Sequence, residues 1–178
     1  MMEIVGVLQE ELRRFDSSLL SLPISPNIFI FEERVHLVCF HCSRYNSKWT
    51  CPPRIPDLDY EQIMKEYTNG LLVYCQIPFK KEEFKDVRTE STNLVHKALL
   101  NLEKVLWEQN YPLAVSYIGG SCKLCKNGCA VDHCRNPYLS RIPIEATGIN
   151  LIISLKKVGI EIEFPVTDCL SRYGLLLW

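Results

Sequence analysis

Seven of the nine cysteines in this chain lie in two tight groups. The larger group, Cys122-x2-Cys125-x3-Cys129-x4-Cys134, places four thiols in one stretch that we call the second cysteine loop, residues 119–142. Its gaps are too short for a helix or a hairpin, so the chain must fold around whatever the thiols bind. Because thiolates bind soft and borderline metals strongly, this spacing predicts a zinc or iron–sulfur site rather than disulfides.

Three further thiols form the first cysteine group, Cys39-x2-Cys42-x8-Cys51, within a predicted loop at residues 35–55. Three thiols need a fourth ligand from elsewhere, or they leave an open iron or zinc position for a small molecule. In two-cluster ferredoxins a cysteine of one run ligates the other cluster, so a thiol of the second cysteine loop is one candidate. The other candidates are Cys75, Cys169 and His41, and the local sequence does not select among them.

Closely spaced cysteines within one loop are typical of a [4Fe-4S] cluster, because several thiolates can each cap one iron while the chain turns around the core. Neighbouring glycines let the backbone approach the sulfides, and basic side chains offset the charge of the thiolates. The residues that we assign to these roles are Gly119, Gly120, Gly128, Arg135 and Arg141. The sequence thus predicts one cluster on the second cysteine loop and a second metal site at the first cysteine group.

A structural zinc ion bound by four thiolates is the alternative, because it uses the same residues. Such sites usually combine two Cys-x2-Cys knuckles on separate turns. The knuckles Cys39–Cys42 and Cys122–Cys125 could form one zinc-ribbon-like site of this kind. That arrangement leaves Cys51, Cys129 and Cys134 without a role, which weighs against it.

The composition indicates one domain in a reducing compartment. The cysteine count is odd, and 178 residues, 47% of them hydrophobic, can build a core without cross-links. No basic segment precedes Glu3, so a secretory signal is not indicated. The longest apolar runs, such as residues 70–75, are far shorter than the roughly 20 residues that span a bilayer. We therefore expect a single cytoplasmic domain over residues 1–178.

The charge balance argues against two classes of partner. With 20 basic and 21 acidic residues the net charge is −1, and no basic stripe marks a nucleic-acid or membrane-surface protein. We therefore expect neither nucleic acid nor a membrane as a partner, and the sequence leaves the oligomeric state open.

The hydrophobic pattern predicts the elements that precede and separate the two groups. An apolar stripe at helical spacing, Val5, Leu8, Leu12, Phe15 and Leu19, predicts an N-terminal helix over residues 1–22. Residues 35–40 read as a strand that enters the first cysteine group. Asp59 with Gln62 resembles a capping box for a short helix, which is followed by a buried strand at 71–77 and a long helix from about residue 80.

The C-terminal half predicts the elements around the second cysteine loop. A strand at residues 113–118 delivers the chain to that loop, and a helix follows Pro143. Residues 160–164 alternate apolar and acidic side chains, which together with residues 173–178 predicts a final pair of strands. We expect an α+β single-domain sandwich in which helices cover one mixed sheet and both metal-binding loops lie at strand ends.

These residues together resemble a prokaryotic family called predicted metal-binding proteins, a domain of unknown function. The resemblance runs from about residue 35 to the C-terminus and includes Tyr45, Trp49, Cys51-Pro52-Pro53, Gly119-Gly120-Ser121-Cys122, Cys134-Arg135-x-Pro137, Arg141 and Glu145-Ala146-x-Gly148-Ile149. Two departures are mild, because Asn46 stands where glycine is expected and Pro143 lies where serine is commoner. The resemblance implies metal binding, with iron–sulfur expected, and no agreed reaction.

Two functions remain open at this point. One is a redox protein whose cluster or clusters pass single electrons to a partner enzyme. The other is a zinc-binding structural or interaction module whose metal holds the two loops together. No dinucleotide, P-loop or nucleophile motif supports an enzyme with an organic cofactor, whereas a reaction at an open iron site would leave no such motif. The sequence favours electron transfer to a redox partner protein and leaves enzymatic activity undecided.

Overall fold

Four strands form one antiparallel sheet in the order β1-β2-β4-β3 in the computed structural model, which describes residues 2–178. The strands are β1 (Leu20–Ile24), β2 (Gly70–Pro78), β3 (Val115–Tyr117) and β4 (Cys169–Leu177). β2 and β4 pair along their full length, whereas β3 pairs only with Leu175–Leu177. Among the described residues, the first half of β4 therefore has no strand on its β3 side.

Helices cover both faces of this sheet. The long helix α4 (Phe84–Glu108) and α1 (Met2–Phe15) pack on one face, and α3 (Tyr60–Glu66) and α5 (Leu151–Lys156) pack on the other. Each face of the sheet therefore has its own apolar core, and β2 contributes side chains to both because they alternate along the strand. Val73 packs with α1 and α4, and Leu72 packs in the core on the opposite face. No helix within residues 2–178 has the length and apolar character needed to span a membrane.

Several predicted elements are confirmed. The α+β class is confirmed, with a single sheet covered by helices, and so are β2, α4 and the helix that Asp59 caps. The Asp59 carboxylate accepts a hydrogen bond from the Gln62 amide at 2.8 Å, as a helix N-cap does. The prediction of a mixed sheet is wrong, because all strand pairs of the sheet are antiparallel.

Three element predictions are also wrong. The N-terminal helix ends at Phe15 rather than at residue 22, and residues 20–24 form an edge strand, where Pro23 is tolerated. The predicted strand at 35–40 belongs to α2 (Glu33–Phe40), because so short an apolar run does not distinguish a helix from a strand. Residues 160–164 form no strand and instead line a cavity. The first cysteine group therefore begins with Cys39 in the last turn of a helix, and only the second cysteine loop follows a strand.

Candidate metal centre

The second cysteine loop leaves the sheet at the end of β3 through two glycines. A Cβ on Gly119 would lie 2.1 Å from the Tyr173 carbonyl oxygen, so only glycine lets the two backbones approach this closely. Gly120 has a φ of +74°, a conformation that favours glycine. This turn directs the chain away from β4 and into the run of four cysteines.

All four predicted ligands of the second cysteine loop line one small cavity. Cys122 is buried at its base, and Cys125, Cys129 and Cys134 are half-buried around it. Within residues 2–178, no three Cys, His, Asp or Glu side chains approach one another as ligands of a single metal ion do. The chain thus gathers the four thiols around a shared space without drawing them into one coordination sphere.

One cation, Lys48, lines this cavity among the described residues. Burial raises the pKa of the Cys122 thiol, and the charges of Cys129 and Cys125 raise it further, whereas the Leu124 amide and the Lys48 ammonium lower it. Burial also lowers the pKa of Lys123 to about 8, and four other cations, including Arg172 and Lys48, act in the same direction. Burial is the largest influence on Cys122, so the Lys48 charge offsets only part of the rise in the pKa of this thiol.

Two polar side chains contact sulfur atoms of the second cysteine loop. The Asn136 side-chain amide donates to the Cys125 Sγ at 3.2 Å, and the Cys134 thiol donates to the Ser140 hydroxyl at 3.7 Å. The Asn136 amide can donate the same hydrogen bond when Cys125 is a thiolate, because a sulfur anion accepts hydrogen bonds. The donor set of this loop therefore fits a thiolate-bound metal or cluster.

Residues between Cys42 and Cys51 close the cavity from the opposite side. Lys48, Trp49 and Thr50 line it together with the four cysteines. The Trp49 indole N–H donates to the Ala130 carbonyl at 2.9 Å, which joins the first cysteine group directly to the second cysteine loop. The Thr50 side chain is buried next to Cys51 at this wall of the cavity.

The loop that carries Trp49 is held by its neighbours. Arg54 lies over the Trp49 ring, with its guanidinium carbon 4.4 Å from the ring centroid, and donates to the Asn46 side-chain oxygen at 3.0 Å. Asn46 has a φ of +51°, so the position where glycine was expected does require a left-handed backbone. Asparagine is among the residues that tolerate this conformation, which explains the departure from glycine.

The three thiols of the first cysteine group also lie near one another. Burial raises the pKa of Cys51 to about 11, and the charges of Cys39 and Cys42 raise it as well. Cys51 belongs to neither apolar core of the sheet. Cys42 is exposed and Cys39 is half-buried, so this group is more open than the second cysteine loop.

The nearest carboxylate to Cys39 belongs to Glu145, which the sequence did not single out as a ligand. The Cys39 thiol donates to the Glu145 carbonyl oxygen at 3.7 Å, and after burial the Glu145 carboxylate is the largest influence that raises the pKa of Cys39. The Glu145 carboxylate also accepts from the Gly120 amide at 3.4 Å. Glu145 therefore lies between the first cysteine group and the start of the second cysteine loop.

The other candidates for a fourth ligand lie in different surroundings. Cys75 is buried in the apolar core on β2, where burial raises its pKa to about 11. Cys169 is exposed at the start of β4 and lines the same large cavity as Cys39. His41 follows α2 at the surface, with its ring 5.1 Å from that of Phe40. None of the three is placed beside all three thiols of the first cysteine group.

The predicted charge partners of the cluster differ from those that the structure provides. Arg141 forms a largely buried ion pair with Glu103, and its Nε donates to Glu103 at 2.8 Å, so Arg141 is already neutralised. Arg135 is exposed. Lys48 is a cation that lines the cavity instead, and the tertiary fold brings it there. Lys123 lies within the Cys122-x2-Cys125 knuckle, but its ammonium donates to the Thr92 hydroxyl and to the Ser121 carbonyl, both at 3.1 Å.

The sequence profile of one family matches this chain. The family is described as predicted metal-binding protein (DUF2284), and the match covers residues 23–178. Neither the curated proteins nor the solved structures gave a match.

Proposed function

Because this chain belongs to the DUF2284 family of predicted metal-binding proteins, we propose that its second cysteine loop binds a [4Fe-4S] cluster. Cys122, Cys125, Cys129 and Cys134 are the proposed ligands. The observation that carries this proposal is the shared cavity that all four thiols line. Four thiols within one short loop are the ligand complement of such a cluster.

The surroundings of the cavity suit this assignment. A cluster held by four thiolates carries net negative charge, which Lys48 would offset in part at the cavity wall. Hydrogen bonds to the sulfurs, such as the one from Asn136 to Cys125, favour the reduced state of a cluster. Trp49 covers the cavity on one side and would limit the access of water and oxygen.

We further propose that the protein transfers electrons to a partner protein. A bound cluster would supply a one-electron redox couple. Its cavity lies close to the surface, because three of the four thiols are only half-buried. The same loop exposes Val131 at 88% and Tyr138 at 90% of their surface, so a partner could approach the cluster through this loop.

Metal analysis of protein purified without oxygen tests the metal. We expect iron and acid-labile sulfide in equal amounts, about four of each per cluster, with broad visible absorption. Stoichiometric zinc without sulfide or colour would contradict the cluster.

Redox titration monitored by electron paramagnetic resonance tests the electron-transfer role. We expect a reversible one-electron reduction within the range of about −700 to +450 mV known for such clusters. A cluster that is present but decomposes on reduction would refute electron transfer while leaving the cluster assignment intact.

A zinc-binding structural module is the second candidate, and one observation favours it. The hydrogen bond from Trp49 to Ala130 already joins the two cysteine regions across the cavity. A zinc ion bound by the four thiols of the second cysteine loop would reinforce that junction and stabilise the fold. The same metal analysis separates the two candidates, because zinc sites contain no sulfide and have no visible chromophore.

A further inference from the structure

A second and larger cavity lies outside the small cavity that the four thiols of the second cysteine loop line. It encloses about 720 Å³ between α2, the first half of β4, the first turns of α4 and residues 161–166. It exists because β3 pairs only with the end of β4 and leaves the edge of Cys169–Arg172 without a strand among the described residues. Its volume lies within the roughly 300–1,000 Å³ of small-molecule sites.

A largely buried guanidinium lines this cavity. Arg172 makes only two long hydrogen bonds, to the Gly119 carbonyl at 3.4 Å and to the Ser91 hydroxyl at 3.5 Å. No carboxylate of residues 2–178 lies within salt-bridge distance of it. Arginine stays protonated even when buried, so Arg172 presents fork-shaped donors that the protein itself uses weakly.

Other charged residues of the cavity define the size of the anion that it can accept. Arg88 is exposed on α4 and lines the cavity near Arg172, whose pKa its charge helps to lower. Glu145 lies on the same side, and Glu161 and Glu163 are exposed at the rim. Arg34, also at the wall, is paired with Glu32 at 2.7 Å. Glu161 and Glu163 lie in solvent, which screens their charge, whereas Arg172 is largely buried beside Arg88. This arrangement accommodates one carboxylate, and the three glutamates oppose a polyanion.

The remaining walls are mostly apolar. Leu170 and Ile149 belong to the buried part of the lining, and Phe84 and Phe164 are more exposed, with Phe164 at 67%. An exposed phenylalanine at the rim of a cavity offers apolar contact to an occupant. The occupant is therefore expected to combine one anionic group with an apolar body.

We propose that this cavity binds a small organic carboxylate, whose charged group accepts hydrogen bonds from Arg172 and Arg88 and whose body contacts Phe84, Phe164 and Leu170. Cys39 lines the same cavity, so the bound molecule lies beside the first cysteine group. The site does not depend on the identity of the metal, because none of these contacts uses a thiol.

Calorimetric titration of the anaerobically purified protein with benzoate and hexanoate tests this site. Both are expected to bind at one site, and Arg172→Gln and Arg88→Gln are each expected to weaken binding by about tenfold or more, as loss of a charged hydrogen bond does. Arg13→Gln, on the exposed face of α1, is the matched control and should bind as the wild type does. If Arg172→Gln does not fold, Arg88→Gln and Phe164→Ser provide the same test at exposed positions.

Three outcomes would overturn the proposal. The first is that neither carboxylate shows saturable binding. The second is that the ligand preference is wrong: the neutral benzyl alcohol binds as tightly as benzoate, or inorganic phosphate binds more tightly than either carboxylate. The third is binding that Cys39→Ser abolishes but Arg88→Gln leaves unchanged, because the carboxylate would then sit on a metal of the first cysteine group. None of these results depends on whether the second cysteine loop holds iron or zinc.

Discussion

The two cysteine regions differ in how completely the fold surrounds them. The second cysteine loop supplies four thiols, has Cys122 at a buried base and is covered by Trp49. The first cysteine group supplies three thiols, leaves Cys42 exposed and adjoins both the Glu145 carboxylate and the 720 Å³ cavity. A complete donor set in an enclosed place suits stable metal binding, whereas an incomplete set beside a cavity leaves room for another ligand. We therefore expect the second cysteine loop to hold its metal more tightly.

Loss of a thiol from the second cysteine loop should have the largest effect on iron content. We expect Cys122→Ser, Cys125→Ser, Cys129→Ser and Cys134→Ser each to remove nearly all iron and visible absorption of that cluster, because no spare thiol of the loop can replace the lost ligand. Iron analysis of the purified variants measures this. Cys169→Ser, at an exposed thiol on β4, serves as the control for that signal. Wild-type iron in two or more of the four variants would contradict the assignment.

Removal of the metal should have the next largest effect, and it should reduce the order of the two cysteine regions unequally. We expect chelation to lower the melting temperature and to abolish hydrogen-exchange protection in residues 119–142 more than in residues 35–55, because a loop without regular structure gains most of its order from its metal. Hydrogen exchange followed by mass spectrometry measures both segments in one sample. Equal protection of residues 119–142 with and without metal would mean that the loop is ordered by packing alone.

Substitutions in the first cysteine group test whether it binds a metal site of its own, separate from that of the second cysteine loop. If this group also binds a [4Fe-4S] cluster, the wild type should hold about eight irons, and Cys39→Ser, Cys42→Ser or Cys51→Ser should each remove roughly half of them. The signal of the second cysteine loop should persist in these variants. Loss of all iron on replacing a thiol of the first group would show that the two regions share one site.

The hydrogen bond between Trp49 and Ala130, which joins the two cysteine regions, should have a smaller effect on stability and on oxygen damage. Trp49→Phe removes the hydrogen bond to Ala130, at a cost of about 1 kcal/mol, and should speed oxygen damage to the cluster by about fivefold because the cover opens more often. The rate of bleaching in air measures this. Trp107→Phe is a matched control, because the Trp107 indole also donates to a backbone carbonyl, that of Pro112. Trp107 is exposed near the end of α4, far from the cysteines. Equal bleaching rates in the two variants would rule out a covering role for Trp49.

The least direct test of the comparison concerns the pH dependence of stability and His96, which contacts the second cysteine loop. Burial lowers the pKa of His96 to about 4, and its Nε2 donates to the Leu139 carbonyl at 2.8 Å. Between about pH 6.5 and pH 4 the unfolded chain therefore binds a proton that the folded chain does not, so stability falls as the pH falls, by at most about 1.4 kcal/mol per pH unit.

Urea unfolding at several pH values measures this dependence. His96→Gln should flatten it, whereas His133→Gln, at an exposed histidine, should not. An unchanged slope in His96→Gln would assign the dependence to other groups.

The sequence predicted the parts of the molecule that local chemistry determines. The cap at Asp59 and the amphipathic α4 depend on residues close together in the chain, and each is found where expected. Residues 35–40 were misassigned because α2 is stabilised by packing on the turn Ile144–Thr147, a contact more than a hundred residues distant.

The same distinction holds within the candidate site. Spacing alone predicted that the thiols of the second cysteine loop would share one place. The contributions of Lys48 and Glu145 depend on how separate segments meet, and the spacing within either segment does not predict them. The pairing of Arg141 with Glu103 likewise joins two segments and removes a cation that the sequence had assigned to the cluster.

The central claim is that the cavity lined by Cys122, Cys125, Cys129 and Cys134 is the place of the cluster. Anomalous diffraction at the iron edge from crystals of anaerobically purified protein tests it most directly. We predict anomalous density for iron inside this cavity, with each of the four sulfurs about 2.3 Å from one iron, a typical metal–thiolate distance. An empty cavity in crystals that contain iron elsewhere, or a zinc edge signal in place of iron, would contradict the account.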